Sequence, residues 1–150
     1  MNRQRLKQYR TTLQALYDAA CWALGLVLAT TLRYDFTVQA TDFGGVVRIF
    51  PFVVAGQLVA GVLSGMYRGR WRFGSFDEVL ALAQGVFLTA TLTFLANGLL
   101  DPPVVPRSVP VGASVIALVL MGSGRYLWRL TDERRRRPQG GDCRRLLVFG

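Results

Sequence analysis

Polar and apolar positions along this chain fall in blocks rather than in alternation. From Leu13 to Leu32 the only charge is Asp18, and from Ala19 to Leu32 the run is unbroken apolar or small. A second block, Ile49 to Tyr67, holds only Gln57 as a strongly polar residue. A third, Val79 to Leu100, contains Gln84 and Asn97, and a fourth, Ser108 to Gly124, is shorter but uncharged. A helix of about 20 residues crosses the ~30 Å hydrocarbon core of a bilayer, and each block has roughly that length. The pattern predicts four transmembrane helices, spanning about 13–32, 49–67, 79–100 and 108–124. Four such runs in 150 residues leave too little polar sequence to bury them in a soluble protein. No convincing small-x-small cleavage site follows the first, and three more spans do, so it reads as an uncleaved helix rather than a signal peptide.

The segments between the blocks are basic, and their charge is lopsided. Of 18 lysines and arginines, 15 fall in the N-terminal segment (Arg3, Arg5, Lys7, Arg10), the second loop (Arg68, Arg70, Arg72) and the tail (Arg125, Arg129, Arg134 to Arg137, Arg144, Arg145). Arg33, Arg48 and Arg107 lie on the other side. Four crossings put both termini on one side, and by the positive-inside rule that side is the cytoplasm. The net charge of +9 is then explained by an anionic leaflet rather than by nucleic acid. A hydrophobic fraction of 51% and a mean hydropathy of +0.30 agree, since the charged loops dilute both values.

Loop chemistry sharpens the boundaries. In Tyr67-Arg-Gly-Arg-Trp-Arg-Phe-Gly-Ser-Phe-Asp-Glu78, aromatics interleave with arginines as in an interfacial belt, and Ser75 with Glu78 has the spacing of a capping box opening the third helix. Asp101 to Pro110 holds four prolines, which stop one helix and stiffen the turn into the next. Tyr17 and Trp22 are expected near the headgroups, and Arg125-Tyr-Leu-Trp-Arg129 suits an interface reached by snorkelling.

Few residues carry candidate chemistry. Histidine is absent, which removes the commonest general base and metal ligand. Cys21 and Cys143 are far apart and form no metal-binding or redox spacing. Asp18, the one acid inside a span, is a site by default in a membrane, although it lies close enough to the headgroups and Arg10 for a solvated or paired structural role. Gly56, Ala60 and Ser64, with Gly61 and Gly65, place small residues at spacing four, which predicts close helix packing within the chain, with homo-oligomer formation as the weaker alternative.

Residues 131–143 are charged, then rich in proline and glycine, and read as a basic juxtamembrane linker. After it, Arg144-Arg-Leu-Leu-Val-Phe-Gly150 is a short apolar run ending in glycine and reads as a buried first strand entering a phosphate-binding turn. The expected fold class is therefore all-α, a four-helix transmembrane bundle over 1–130, followed at 144–150 by the first strand of a truncated Rossmann-like α/β domain. A parallel strand is not stable alone, so the natural product is expected to continue.

The chain resembles the membrane-anchored nucleoside-diphosphate-sugar epimerase/dehydratases of bacterial polysaccharide biosynthesis, the CapD-like proteins. The likeness rests on Asp18 and the helix ending in Leu32-Arg33-Tyr34, the segment Tyr67 to Glu78, Pro106-Arg-Ser-Val109, Gly124-Arg125 with Arg129, and Leu146-Leu-Val-Phe-Gly150. It implies four helices in the bacterial inner membrane, then cytoplasmic nucleotide-binding domains that use NAD(P). The implied reaction oxidises C4 of a UDP-linked N-acetylhexosamine, followed by loss of water across C5 and C6 or by epimerisation. None of the family's catalytic positions falls within residues 1–150, so this segment itself has no implied cofactor, metal or catalytic residue beyond Gly150. A polyprenyl-phosphate sugar phosphotransferase begins with similar helices and is the nearest rival. A small four-helix transporter built around Asp18 is the alternative of another class.

Overall fold

The computed structural model describes residues 3–37, 42–66 and 76–136. Among them every regular element is helical: α1 (Arg3–Arg33), α2 (Asp42–Leu63), α3 (Phe76–Leu99) and α4 (Ser108–Arg136). Each contains a stretch long and apolar enough to cross a membrane: Thr11–Arg33, Phe43–Leu63, Val79–Leu99 and Ser108–Thr131.

The helices outrun the apolar blocks where charge begins, because a helix satisfies its backbone internally whether its surroundings are lipid or water. Thus α1 extends back to Arg3, and α4 runs on through Arg125 and Arg129 to Arg136, so residues 131–136, the start of the expected linker, are helical. An i,i+4 ion pair, Arg129 Nε to Glu133 Oε1 at 2.8 Å, lies along that extension. At the start of α2 the helix includes Arg48 and begins at Asp42 rather than at Ile49. The long arginine stem lets the charge leave the apolar zone without ending the helix.

Two helix ends close in the same way. Gly65 takes a left-handed φ of 71°, its N–H bonds Val62 O at 3.2 Å, and Met66 N–H bonds Gly61 O at 2.9 Å. That is the paired reverse bonding of a Schellman cap, so α2 ends at Leu63, short of the expected Tyr67. At the end of α1, Asp35 N–H bonds Leu32 O and Phe36 N–H bonds Thr31 O, with Asp35 at φ 50°. An aspartate there tolerates the left-handed region better than most side chains.

The four helices form a ring in chain order. Each touches two neighbours, α1 against α2 and α4, and α3 against α2 and α4, while among the described residues the backbones of the diagonal pairs do not approach one another closely. The tightest seam joins α1 and α4. A Cβ on Gly25 would come within 2.6 Å of Ala113 O, so only glycine allows the two backbones to lie so close. Ala113 and Ala117 are fully buried there, and a Cβ on Gly112 would touch Ala29. Small side chains at such a seam permit the van der Waals contact that holds membrane helices together. The small residues of α2 divide their roles: Gly56 faces Thr89 of α3, Ala60 is buried, and Gly65 terminates the helix.

Phe52, Leu63, Phe87, Leu99, Val115 and Val119 point outward and are more than half exposed, whereas Asp18, Gln57, Thr89 and Asn97 are buried. An apolar exterior around polar interior contacts matches a hydrocarbon solvent and would be costly in water.

Candidate functional site

Among the described residues, three sets of polar contacts join separate segments of the bundle. The first is on the α1–α4 seam. Asp18, 1% exposed, receives Arg125 Nη2 at 3.2 Å on both carboxylate oxygens, and the arginine side chain is itself 17% exposed. One turn away, the Tyr17 hydroxyl donates to Leu120 O at 2.6 Å. Asp18 and Arg125 are 107 positions apart and meet because α1 and α4 run antiparallel. The start of α1 and the end of α4 therefore share one end of the bundle.

The second contact joins three helices. Gln57 Oε1 on α2 accepts the Trp22 indole N–H of α1 at 3.0 Å and lies 3.1 Å from the Thr89 hydroxyl of α3. Thr89 Oγ1 also lies 2.9 Å from Gly85 O, its own i−4 carbonyl, so its one proton has two acceptors within reach. Trp22, expected near the headgroups, is instead fully buried at this node. The reason is depth: α1 places it well inside the span, where an indole N–H needs a partner and Gln57 supplies it.

The third contact fixes the loop between α3 and α4. Asn97 Nδ2 donates to Val105 O at 2.8 Å, and Val105 N–H donates to Asn97 Oδ1 at 3.0 Å. The buried asparagine thus imitates a strand partner for a loop that has none. Val109 N–H bonds Pro106 O at 2.9 Å as α4 begins, so Pro106-Arg-Ser-Val109 forms the entry to that helix.

Of the residues singled out from sequence, Asp18 has the paired role, with Arg125 as a partner that the sequence alone did not name. Hydropathy ended the fourth span at Gly124, one residue short of Arg125, whereas in the structure Asp18 and Arg125 each lie six to seven residues inside the same end of the bundle. Cys21 is a buried free thiol. Gly150, Cys143, Ser75, the linker beyond residue 136 and the expected strand lie outside the described residues, as does the capping side chain of Glu78. Helix α3 does begin at Phe76, immediately after Ser75. Among the described residues no group of three histidine, cysteine or acidic side chains is placed to hold a metal ion. What the interior groups do chemically is join helices.

Compared with known protein families, curated proteins and solved structures, the chain gives no match.

Proposed function

We propose that residues 1–136 are a membrane anchor with both helical ends in the bacterial cytoplasm, and that the intact protein is a nucleotide-sugar epimerase/4,6-dehydratase acting on a UDP-N-acetylhexosamine. The observation that carries the reading is the Asp18–Arg125 ion pair. Two positions on which the family resemblance rests, far apart in sequence, meet as a contact that locks the first helix to the last. An anchor needs rigid attachment of its outgoing helix and no mobile charge, and this pair supplies both. Pro106 to Val109, another point of resemblance, likewise serves the entry to α4.

The shared end of α1 and α4 carries Arg3, Arg5, Lys7 and Arg10 on one helix and Arg129, Arg134, Arg135 and Arg136 on the other. Facing anionic headgroups, each such residue is worth about 1 kcal/mol, which favours this end as the cytoplasmic one. Nucleotide sugars are made on that side. The NAD(P)-binding and catalytic residues belong to a following domain that would open near Gly150, and the 150 residues described by the sequence contribute its position at the membrane.

The test is an assay of the intact protein in membranes with a UDP-N-acetylhexosamine and NAD(P). Formation of a 4-keto-6-deoxy sugar nucleotide, or of an epimer, supports the reading. Transfer of sugar phosphate to polyprenyl phosphate with release of UMP rejects it in favour of the phosphotransferase.

A further inference from the structure

Arg33, Arg48 and Arg107 lie at the far end of the bundle from the basic ends of α1 and α4, and they stand at nearly one depth. Tyr17 against Leu120 and Gly25 against Ala113 set the register of α1 with α4. Carried two turns past Gly25, that register puts Arg33 level with Arg107. Trp22 against Gln57 sets α1 with α2 and puts Arg48 within a turn of the same level. Three neighbouring segments thus each bring one arginine to the same edge of the bundle.

All three residues are exposed. None makes an ion pair or a side-chain hydrogen bond among the described residues, and Asp35 and Asp101, exposed at the same end, pair with none of them. At the opposite end, by contrast, Asp18 holds Arg125 and Glu133 holds Arg129. Arg48 is the most demanding of the three. It lies within the apolar stretch Phe43–Leu63, about 7 Å inside its end at 1.5 Å per residue. A helical side chain lies over the turn that precedes its own Cα, here toward the nearby membrane surface, and at i−4 stands Gly44, which has no side chain in the way. The stem can therefore carry the guanidinium outward to the edge of the hydrocarbon.

We propose that Arg33, Arg48 and Arg107 form a rim that binds the phosphate groups of phospholipids in the leaflet at that end. Charge complementarity selects the partner. A cation at the hydrocarbon edge with no carboxylate beside it needs an anion, and the lipid phosphodiester is the anion that stands at that depth. The planar guanidinium fork matches two phosphate oxygens at once, and it gives up water more readily than an ammonium group does. The inference is independent of the enzymatic reading above and of which leaflet is cytoplasmic.

The experiment uses the full chain in vesicles of phosphatidylethanolamine and phosphatidylglycerol in phosphate-free buffer, with carbon-13 at the arginine Cζ. Solid-state NMR reads the attenuation of each carbon signal by nearby lipid phosphorus. Arg33→Lys, Arg48→Lys and Arg107→Lys keep the charge and remove one guanidinium each, so difference spectra isolate the three signals. The expected result is strong attenuation of all three. An unattenuated signal at any of them would overturn the rim. A second arm places the chain in maltoside micelles with inorganic phosphate at the same phosphorus concentration. Attenuation there equal to that in vesicles would also overturn the proposal, since the site would then be one for the free ion.

Discussion

Gly124 opens the carbonyl of Leu120 to the hydroxyl of Tyr17. In a helix the side chain at i+4 lies beside the carbonyl of residue i, and a Cβ at residue 124 would collide with the tyrosine Oη and Cζ. The absence of that Cβ admits the 2.6 Å hydrogen bond from Tyr17 to Leu120 O, across the α1–α4 seam. A second glycine, Gly25, admits the backbone of α4 two turns further along the same seam.

Gly124→Ala is accordingly expected to destabilise the bundle by about 1–3 kcal/mol, the usual range for overpacking. Tyr17→Phe should cost about 1 kcal/mol through the lost hydrogen bond. Thermal or denaturant unfolding in detergent reads both. In Tyr17→Ala the Gly124→Ala cost should largely vanish, because the colliding ring is gone, and an undiminished cost would remove the contact from the account.

The Asp18–Arg125 pair lies between an exposed salt bridge and a fully buried one. Asp18→Asn or Arg125→Gln alone should cost about 2–4 kcal/mol, since each leaves a partner charged in a poorly solvated place. The double substitution, carrying two neutral amides, should be less destabilised than the sum of the singles. Unfolding curves of the four proteins measure the coupling, and strict additivity would mean that the pair does not hold α1 to α4.

How much of this was legible beforehand depended on which solvent a residue faces. The spans followed from uncharged length, because hydrocarbon penalises every charge, and α3 was placed within three residues at each end. The helical extensions at Arg3–Arg10 and Arg125–Arg136 were not legible from hydropathy, which registers where the lipid stops and not where the helix does. Nor was the burial of Trp22, since an aromatic near a span's start satisfies the belt pattern equally well. Its partner Gln57 was visible as the one polar residue of its span, but pairing between helices needs their relative depth and facing. The α1–α4 seam was missed for a related reason. Small residues at spacing four stood out on α2, yet Gly25 and Ala29 on α1 and Gly112, Ala113 and Ala117 on α4 form the closer contact.

Gln57→Leu should remove the acceptor shared by Trp22 and Thr89. Hydrogen bonds between membrane helices are worth about 0.6 kcal/mol on average and up to about 1.7, and loss near the upper end is expected because the indole N–H is left buried. The Trp22 indole proton should move upfield in the NMR spectrum as its hydrogen bond is lost. An unmoved resonance would contradict the node.

Asn97→Ala should free the loop between α3 and α4. Both bonds to Val105 would go, leaving the Val105 amide without its partner, at a cost of about 1–3 kcal/mol. Hydrogen exchange at Val105 should accelerate by one to two orders of magnitude, by roughly the factor of 10 that each 1.4 kcal/mol carries. Exchange unchanged from that of the unsubstituted chain would show that the loop is held by other contacts.

The account turns most on which side of the membrane each end of the bundle occupies. In a background carrying Cys21→Ala and Cys143→Ser, single cysteines placed by Asp101→Cys and by Glu133→Cys would be exposed to a membrane-impermeant maleimide on intact bacterial cells and on inverted membrane vesicles. The account predicts labelling of position 101 from outside the cell only, and labelling of position 133 in inverted vesicles only. Labelling of both positions from the same side, or of position 133 on intact cells, would contradict an anchor whose first and last helices end in the cytoplasm.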